Sequence, residues 1–353
     1  MAEQIVFCEE FSYWPGTTAA DKKHVFSKHG HDSNLIQATV KKSGTHAMKF
    51  VNNRGGMWRY LGNTDITEFL FFCWLRVPTD GLPNSREFTI CDFRNGYYEQ
   101  MGLMINSTGT ISAYRAGGSQ LWTSTETFSE DDDWHCVRFR CLIDDSVGTI
   151  DVWVDDTSYI SETSVDTKNT SYWGFDGVNE VSIGGPQYGT AEDNLEIYMD
   201  EVCIISDPSG DYSGGLRVNR TVPTGDGSDS DWTRVGGGSN QYEAVDDSAK
   251  DDDTTYLHSS TATDRELFTF AAMENASSVI GVQTVIEGKR AAPGTRTIKH
   301  TSYLSTTQLD GDEKGLPTDD YGQSRYVYMT KPGGGSWSQS DVDNCEFGFL
   351  VAS

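Results

Sequence analysis

The stretch from Trp134 to Asp156, WHCVRFRCLIDDSVGTIDVWVDD, constrains the fold of this chain more than any other. Val137, Phe139, Cys141 and Ile143 recur at every second position, with His135 extending the row, while Trp134, Cys136, Arg138 and Arg140 take the places between. After Asp144-Asp145-Ser146-Val147-Gly148, the apolar Ile150, Val152 and Val154 alternate with Asp151, Trp153 and Asp155. A period of two on both sides of a Gly-containing turn predicts a β-hairpin. Side chains alternate across a strand, so each arm has one face for a core and one that need not be buried. A hairpin is only marginally stable alone, and this one requires a second sheet to cover its apolar face.

The remainder of the chain reads the same way. Strands are predicted at 4–9, 35–40, 46–51, 69–77, 86–93, 98–105, 109–114, 120–122, 180–183 and 195–206, and no long segment has a 3.6-residue apolar period. The run FLFFCWLRV, Phe69 to Val77, is almost continuously apolar, as expected of a strand buried on both faces. From Asp207 the composition shifts to Gly, Ser, Asp and Pro, which reads as a connection. Further short strands are predicted at 255–258, 267–270, 279–287, 296–303, 325–329 and 347–351. The expectation is an all-β chain: a sandwich over 1–207, a linker over 208–231, and a second, smaller β-sandwich over 232–353.

A formal charge of −26 argues against a nucleic-acid partner, because the phosphate backbone would be repelled. It suits a neutral glycan or a metal ion better than an acidic ligand. No apolar run has the length of a membrane span, and MAEQIVFCEEF lacks the basic start of a signal peptide, so folding in a cytoplasm is expected. The seven cysteines are scattered without a CxxC, and are expected to be buried free thiols. The sequons at Asn106, Asn169, Asn219 and Asn275 then meet no glycosylation machinery.

Four segments of the first part, SGTHAMKFVN, FLFFCWLRV, the Trp134–Asp156 hairpin and the closing IYMDEVCIISD, occur in an order that resembles a laminin-G-like, concanavalin A-like jelly roll. The W-H-x-V strand and the last strand's Met199-Asp200-Glu201-Val202, with Met where that family usually has Ile, carry the resemblance. It implies two stacked antiparallel sheets, one of them often used to hold a sugar. The second part resembles bacteriophage structural proteins through Gly225-Asp226-Gly227, Trp232, Val245-Asp246-Asp247, the Asp251–Leu257 stretch, and Phe347-Gly348-Phe349. Together the resemblances imply a virion component made in a host cytoplasm. It would be displayed on the particle exterior as a capsid decoration, fibre or tail-associated protein. Its partners would be other virion proteins, symmetry-related copies of itself and a cell-surface glycan.

Chemistry on such a fold would be glycoside hydrolysis by paired carboxylates. The E-x-D-x-x-E strand of laminarinase-like enzymes is absent, and Glu196 and Asp200 have the wrong spacing. Asp200 and Glu201 are expected instead to close the last strand through hydrogen bonds to neighbouring loops. The chain is therefore expected to be non-enzymatic, the alternatives being a polysaccharide-acting glycoside hydrolase or a free carbohydrate-binding module. Candidate sugar-stacking aromatics are Trp58, Tyr60, Tyr97, Trp122 and Trp153, with Trp153, between two aspartates, the best placed for exposure. Calcium, which takes loop oxygens, would fall to Asp92, Asn95, Asp155 and Asp193. His24, His29 and His31 read as surface histidines rather than zinc ligands.

Overall fold

The computed structural model describes residues 3–9, 28–29, 35–37, 39–43, 47–51, 57–61, 65–82, 87–96, 98–115, 119–170, 176–185, 195–247, 253–274, 276–290, 296–318 and 321–352. They fall into two compact units, 1–218 and 219–353.

The first unit is a jelly-roll sandwich. Its strands are β1 (Gln4–Glu9), β2 (Lys28–His29), β3 (Leu35–Gln37), β4 (Ala47–Val51), β5 (Met57–Tyr60), β6 (Glu68–Arg76), β7 (Phe88–Asn95) and β8 (Tyr98–Ile105). They continue with β9 (Thr110–Arg115), β10 (Ser119–Thr127), β11 (Trp134–Leu142), β12 (Gly148–Val154), β13 (Thr157–Val165), β14 (Glu180–Ile183) and β15 (Glu196–Ser206). Sheet A has the order β13-β12-β11-β6-β15-β4-β3, with β1 also on β15; sheet B has the order β10-β9-β8-β7-β14-β5-β2. The predicted hairpin is β11–β12, in the register Val137–Val154, Phe139–Val152 and Cys141–Ile150. Those apolar pairs share one face, and β6 continues it with Phe69, Phe71, Cys73 and Leu75. Sheet B covers that face: Phe93 stacks on Phe69 with ring centroids 3.8 Å apart, and Phe139 meets Phe69 edge-on at 5.5 Å. Each buried Phe contributes about 1.5–3 kcal/mol through removal from water, which is what holds the layers together.

Strand β6 is buried on both sides, as its sequence predicts. Its inner residues lie in the core, while Leu70 and Phe72 are buried on the outer side. Residues 208–218 hold to that outer face. Trp74 donates through Nε1 to the Leu216 carbonyl (3.2 Å), and Arg138 and Arg140 both reach Asp211. The stretch read as a linker thus divides, with 208–218 belonging to the first unit and Pro223–Ser230 forming a strand of the second.

At the middle of β15 the pairing to β6 is interrupted between Asp200 and Cys203, and Glu201 takes φ +48°. This bulge lets one strand pair with β4 along its first half and β1 along its second. Asp200 closes it as expected, accepting from the backbone N–H groups of Lys42 (3.0 Å), Ser43 (3.3 Å) and Glu201 (2.8 Å).

The second unit is a smaller β-sandwich. Strands β16 (Pro223–Ser230), β17 (Thr233–Val235), β18 (Tyr256–His258), β19 (Arg265–Phe270), β20 (Val282–Gly288), β21 (Ile298–Leu304), β22 (Thr307–Lys314), β23 (Gly322–Tyr328) and β24 (Cys345–Val351) are joined by one short helix, α1 (Gln339–Asp343). The main sheet is β16-β19-β24-β21-β22, and the β20–β23 hairpin packs on it. Tyr328 of the hairpin meets Phe347 of β24 at 6.1 Å between centroids, and Trp337 lies 5.9 Å from the same ring. His300 of β21 is fully buried between Thr284 Oγ1 (2.7 Å) and Ser324 Oγ (2.8 Å). Helix α1 starts on a capping box, with the Ser338 side chain accepting from the Asp341 N–H while the Asp341 carboxylate accepts from the Ser338 N–H.

Six of the seven cysteines are buried and Cys8 is half-buried; all are free thiols. No helix among the described residues is long and apolar enough to cross a membrane.

Candidate functional site

The candidate site is the outer face of sheet B, and the local sequence of β7 builds its centre. In FTICDFRN the pairing to β8 shifts between Thr89 and Cys91, so Ile90 and Cys91 both enter the core. After this shift Phe93 continues inward, and Asp92 and Arg94 are left on the outer side. Neighbouring strands bring their outer residues into line with them. One row across the sheet is Trp58, Ser182, Asp92, Gly102, Tyr114 and Gln120, each in register with the next. Five strand-to-strand steps of about 4.8 Å set roughly 24 Å between its ends. A second row is Tyr60, Glu180, Arg94 and Glu99.

Glycine at 102 is dictated by its neighbour. The Tyr114 ring lies across it, and a methyl group at that position would run into the ring. Tyr114 is itself buried, with its hydroxyl bonded to the Thr89 side chain. Beside it, Asp92 is only 2% exposed. Arg94 donates through Nε to Asp92 Oδ2 (2.5 Å) and through Nη2 to Glu99 Oε1 (2.8 Å). The other oxygen of Asp92, Oδ1, has no hydrogen-bond partner among the described residues.

These surroundings set the protonation of the pair. Burial pushes the Asp92 carboxyl up to about 7; the Arg94 charge pulls it down, and Glu99 and Glu180 add repulsion. Burial would lower Arg94, but Asp92 and Glu99 outweigh it, and the guanidinium is held above its ordinary range. Asp92 thus changes charge near neutrality while Arg94 does not. At the end of the rows, Tyr60 is 44% exposed and Trp58 is half-buried, and they offer ring surface on the same side of the sheet.

The aromatic candidates separate. Trp58 and Tyr60 lie on this face; Trp122 packs against the hydrophobic core between the sheets. Trp153 lies on the outer face of sheet A, half-buried with the Arg138 guanidinium 5.3 Å from its ring, so its expected exposure is only partial. Tyr97 lies outside the described residues.

Of the four oxygen donors expected for calcium, the three described ones do not converge. Asp92 is held by Arg94. Asn95 donates to Asp65 Oδ1 (2.9 Å) and the Gly177 carbonyl (3.1 Å). Asp155 accepts from the Cys136 N–H (2.9 Å) and pairs with His135 (2.8 Å) on the far sheet. Asp193 lies outside the described residues, as do His24, His31 and the side chain of His29. Among the described residues no group of three or more His, Cys, Asp or Glu is arranged to hold a metal ion.

Sequence reading missed Arg94, Glu99, Glu180 and Tyr114. The one available signal was the D-x-R spacing in β7, which puts both side chains on one face once that segment is a strand. The carboxylates come from three different strands, so no linear motif could join them.

No family model matches the chain, and no curated protein matches it. Solved structures are similar in fold. An alginate lyase from Chlorella virus is 10% identical, covering 57% of this chain and 100% of its own, with a TM-score of 0.42. The catalytic domain of a glycoside hydrolase family 131 protein from Coprinopsis cinerea is 15% identical, covering 61% and 98%, with a TM-score of 0.37. Domain 4 of a GH43 extracellular arabinanase from Geobacillus stearothermophilus, in complex with arabinotriose, is 12% identical, covering 58% and 94%, with a TM-score of 0.38. Likenesses this distant transfer no activity. They do correct one expectation, that the chain is not an enzyme: two of these three structures are an enzyme and a catalytic domain, so the architecture gives no ground for a non-enzymatic reading.

Proposed function

We propose that the first unit engages a polysaccharide across the outer face of sheet B. The observation that carries this reading is the conjunction of ring surface at Trp58 and Tyr60 with a buried Asp92 oxygen that lacks a partner among the described residues, all on one face. Sugar C–H faces stack on aromatic rings, and hydroxyl donors satisfy an orphan carboxylate oxygen.

Hydrolysis is a second reading, favoured by the protonation of Asp92 at neutral pH. A carboxyl group that keeps its proton near pH 7 can give it to a glycosidic oxygen as the C–O bond breaks. Glu180, diagonal to Asp92 and about 7–8 Å away by sheet geometry, is placed to take a proton from the incoming water. Incubating the purified chain with a panel of polysaccharides separates the readings. Retention without new reducing ends supports binding alone; release of reducing ends that Asp92→Asn abolishes while retention persists supports hydrolysis. Absence of both refutes the proposed face.

A place on a virus particle, against coat or tail proteins and further copies of this chain, is a separate proposal. Its support is the sequence resemblance of the second unit to bacteriophage structural proteins. Antibody labelling of intact particles tests it, and labelling confined to particle-free protein would sink it.

A further inference from the structure

We propose, resting on the polysaccharide reading of this face, that it selects glycans without carboxylate groups and discriminates against uronate- and sialate-bearing ones. Three carboxylates stand on the described part of the face, from Asp92, Glu99 and Glu180, against the single guanidinium of Arg94.

Recognition of a sugar carboxylate requires donors that are not already spent, ideally a guanidinium presenting two parallel N–H groups. Arg94 does not offer this, since its Nε and Nη2 are engaged by Asp92 and Glu99. An acidic sugar laid along the rows would set its own charge beside Glu180 and Asp92. The independent observation is Asp92 Oδ1, an acceptor on a side chain only 3% exposed and left without a donor among the described residues. To the ionised carboxylate a sugar hydroxyl supplies the missing proton donor, whereas a sugar carboxylate supplies another acceptor, so the titrations are run at pH 8. The chain's formal charge of −26 adds a longer-range repulsion that salt would weaken.

The test is calorimetric titration of the full chain with neutral hexasaccharides (xylo-, cello- and laminarihexaose) and with an alginate hexasaccharide and sialyllactose. At low salt at least one neutral oligosaccharide is expected to bind, with the acidic ligands at least tenfold weaker. Raising the salt should narrow the gap. Glu99→Gln, which removes one charge and releases Nη2 of Arg94, should also narrow it while neutral binding persists; should that variant fail to fold, the salt series on the wild type carries the test.

Acidic ligands bound as tightly as neutral ones would overturn the selectivity. If that binding were abolished by Tyr60→Ala, the face would stand and only its selectivity would fall. Failure of every ligand to bind would refute the face itself.

Discussion

Asp92→Asn tests whether burial or the Arg94 ion pair governs the centre of the face. In the unfolded chain Asp92 loses its proton above pH about 3.9. In the fold it holds the proton up to about 7 because burial outweighs the attraction of Arg94. Between those values the folded state binds the extra proton, so stability falls as pH rises through the window and is lower above it. Each unit corresponds to about 1.4 kcal/mol, so the ionised carboxylate costs on the order of 4 kcal/mol by pH 8. Asparagine keeps the shape of the neutral acid and cannot ionise, while Arg94 retains Glu99 as a partner. Urea unfolding of both proteins from pH 4 to pH 8.5, compared at each pH, cancels every other titrating group. The variant should gain on the wild type by about 1.4 kcal/mol per pH unit from 4 to 7 and then level off. A difference independent of pH, or a variant that is less stable at pH 8, would show that the ion pair dominates and that Asp92 is charged throughout.

Tyr60→Ala should weaken retention of a bound polysaccharide about tenfold, or about 1.4 kcal/mol, with circular dichroism unchanged, since its ring is exposed. Asp200→Ala leaves the N–H groups of Lys42, Ser43 and Glu201 without their acceptor, and thermal unfolding should show a loss of about 2–4 kcal/mol. Burial holds His300 down at about 4, so the unfolded chain takes up a proton between pH 6.5 and 4 while the fold does not. The second unit should therefore lose about 3 kcal/mol over that fall, a loss absent in His300→Gln. Gly102→Ala should drive the Tyr114 ring off the sheet, costing about 1–3 kcal/mol in melting experiments and lowering polysaccharide retention with it.

Which strands were legible follows from where they sit. Of the central ones, β6 is almost continuously apolar because both its faces are buried, and β11 and β12 carry an apolar period because a facing sheet buries one side of each. The strands that sequence reading passed over include β13, β16 and β22, and each is an edge of its sheet. Their sequences, TSYISETSV, PTGDGSDS and TQLDGDEK, are polar because an edge has a side facing water and charge there discourages pairing with other chains. The site was less legible than the fold. Asp92 drew attention only as a calcium donor, because nothing in ICDFRN shows that Arg94 will claim one oxygen and leave the other unpaired. That distinction depends on Glu99 and Glu180 arriving from other strands.

The same alternation that made the hairpin readable also decides which face of the first unit is open to a ligand. Each sheet has an outer side, so a sandwich begins with two candidate surfaces. On sheet A the outer side is closed by its own chain. Arg138, 2% exposed, donates to the Asp211 and Asp155 carbonyls and to Asp156. Arg140 binds Glu68, Asp211 and the Pro208 carbonyl, and Gly215, at φ +79°, comes close over Cys136. Residues 208–218, with Glu68, Asp155 and Asp156, take up the donors of the Trp74 indole and of both cations except Nε of Arg138, so a sugar would have to displace bonds already made. On sheet B an acceptor is buried without a donor among the described residues, next to rings that are not fully covered. A hydroxyl there meets an acceptor that no described residue claims, and that asymmetry is the physical reason for placing recognition on sheet B.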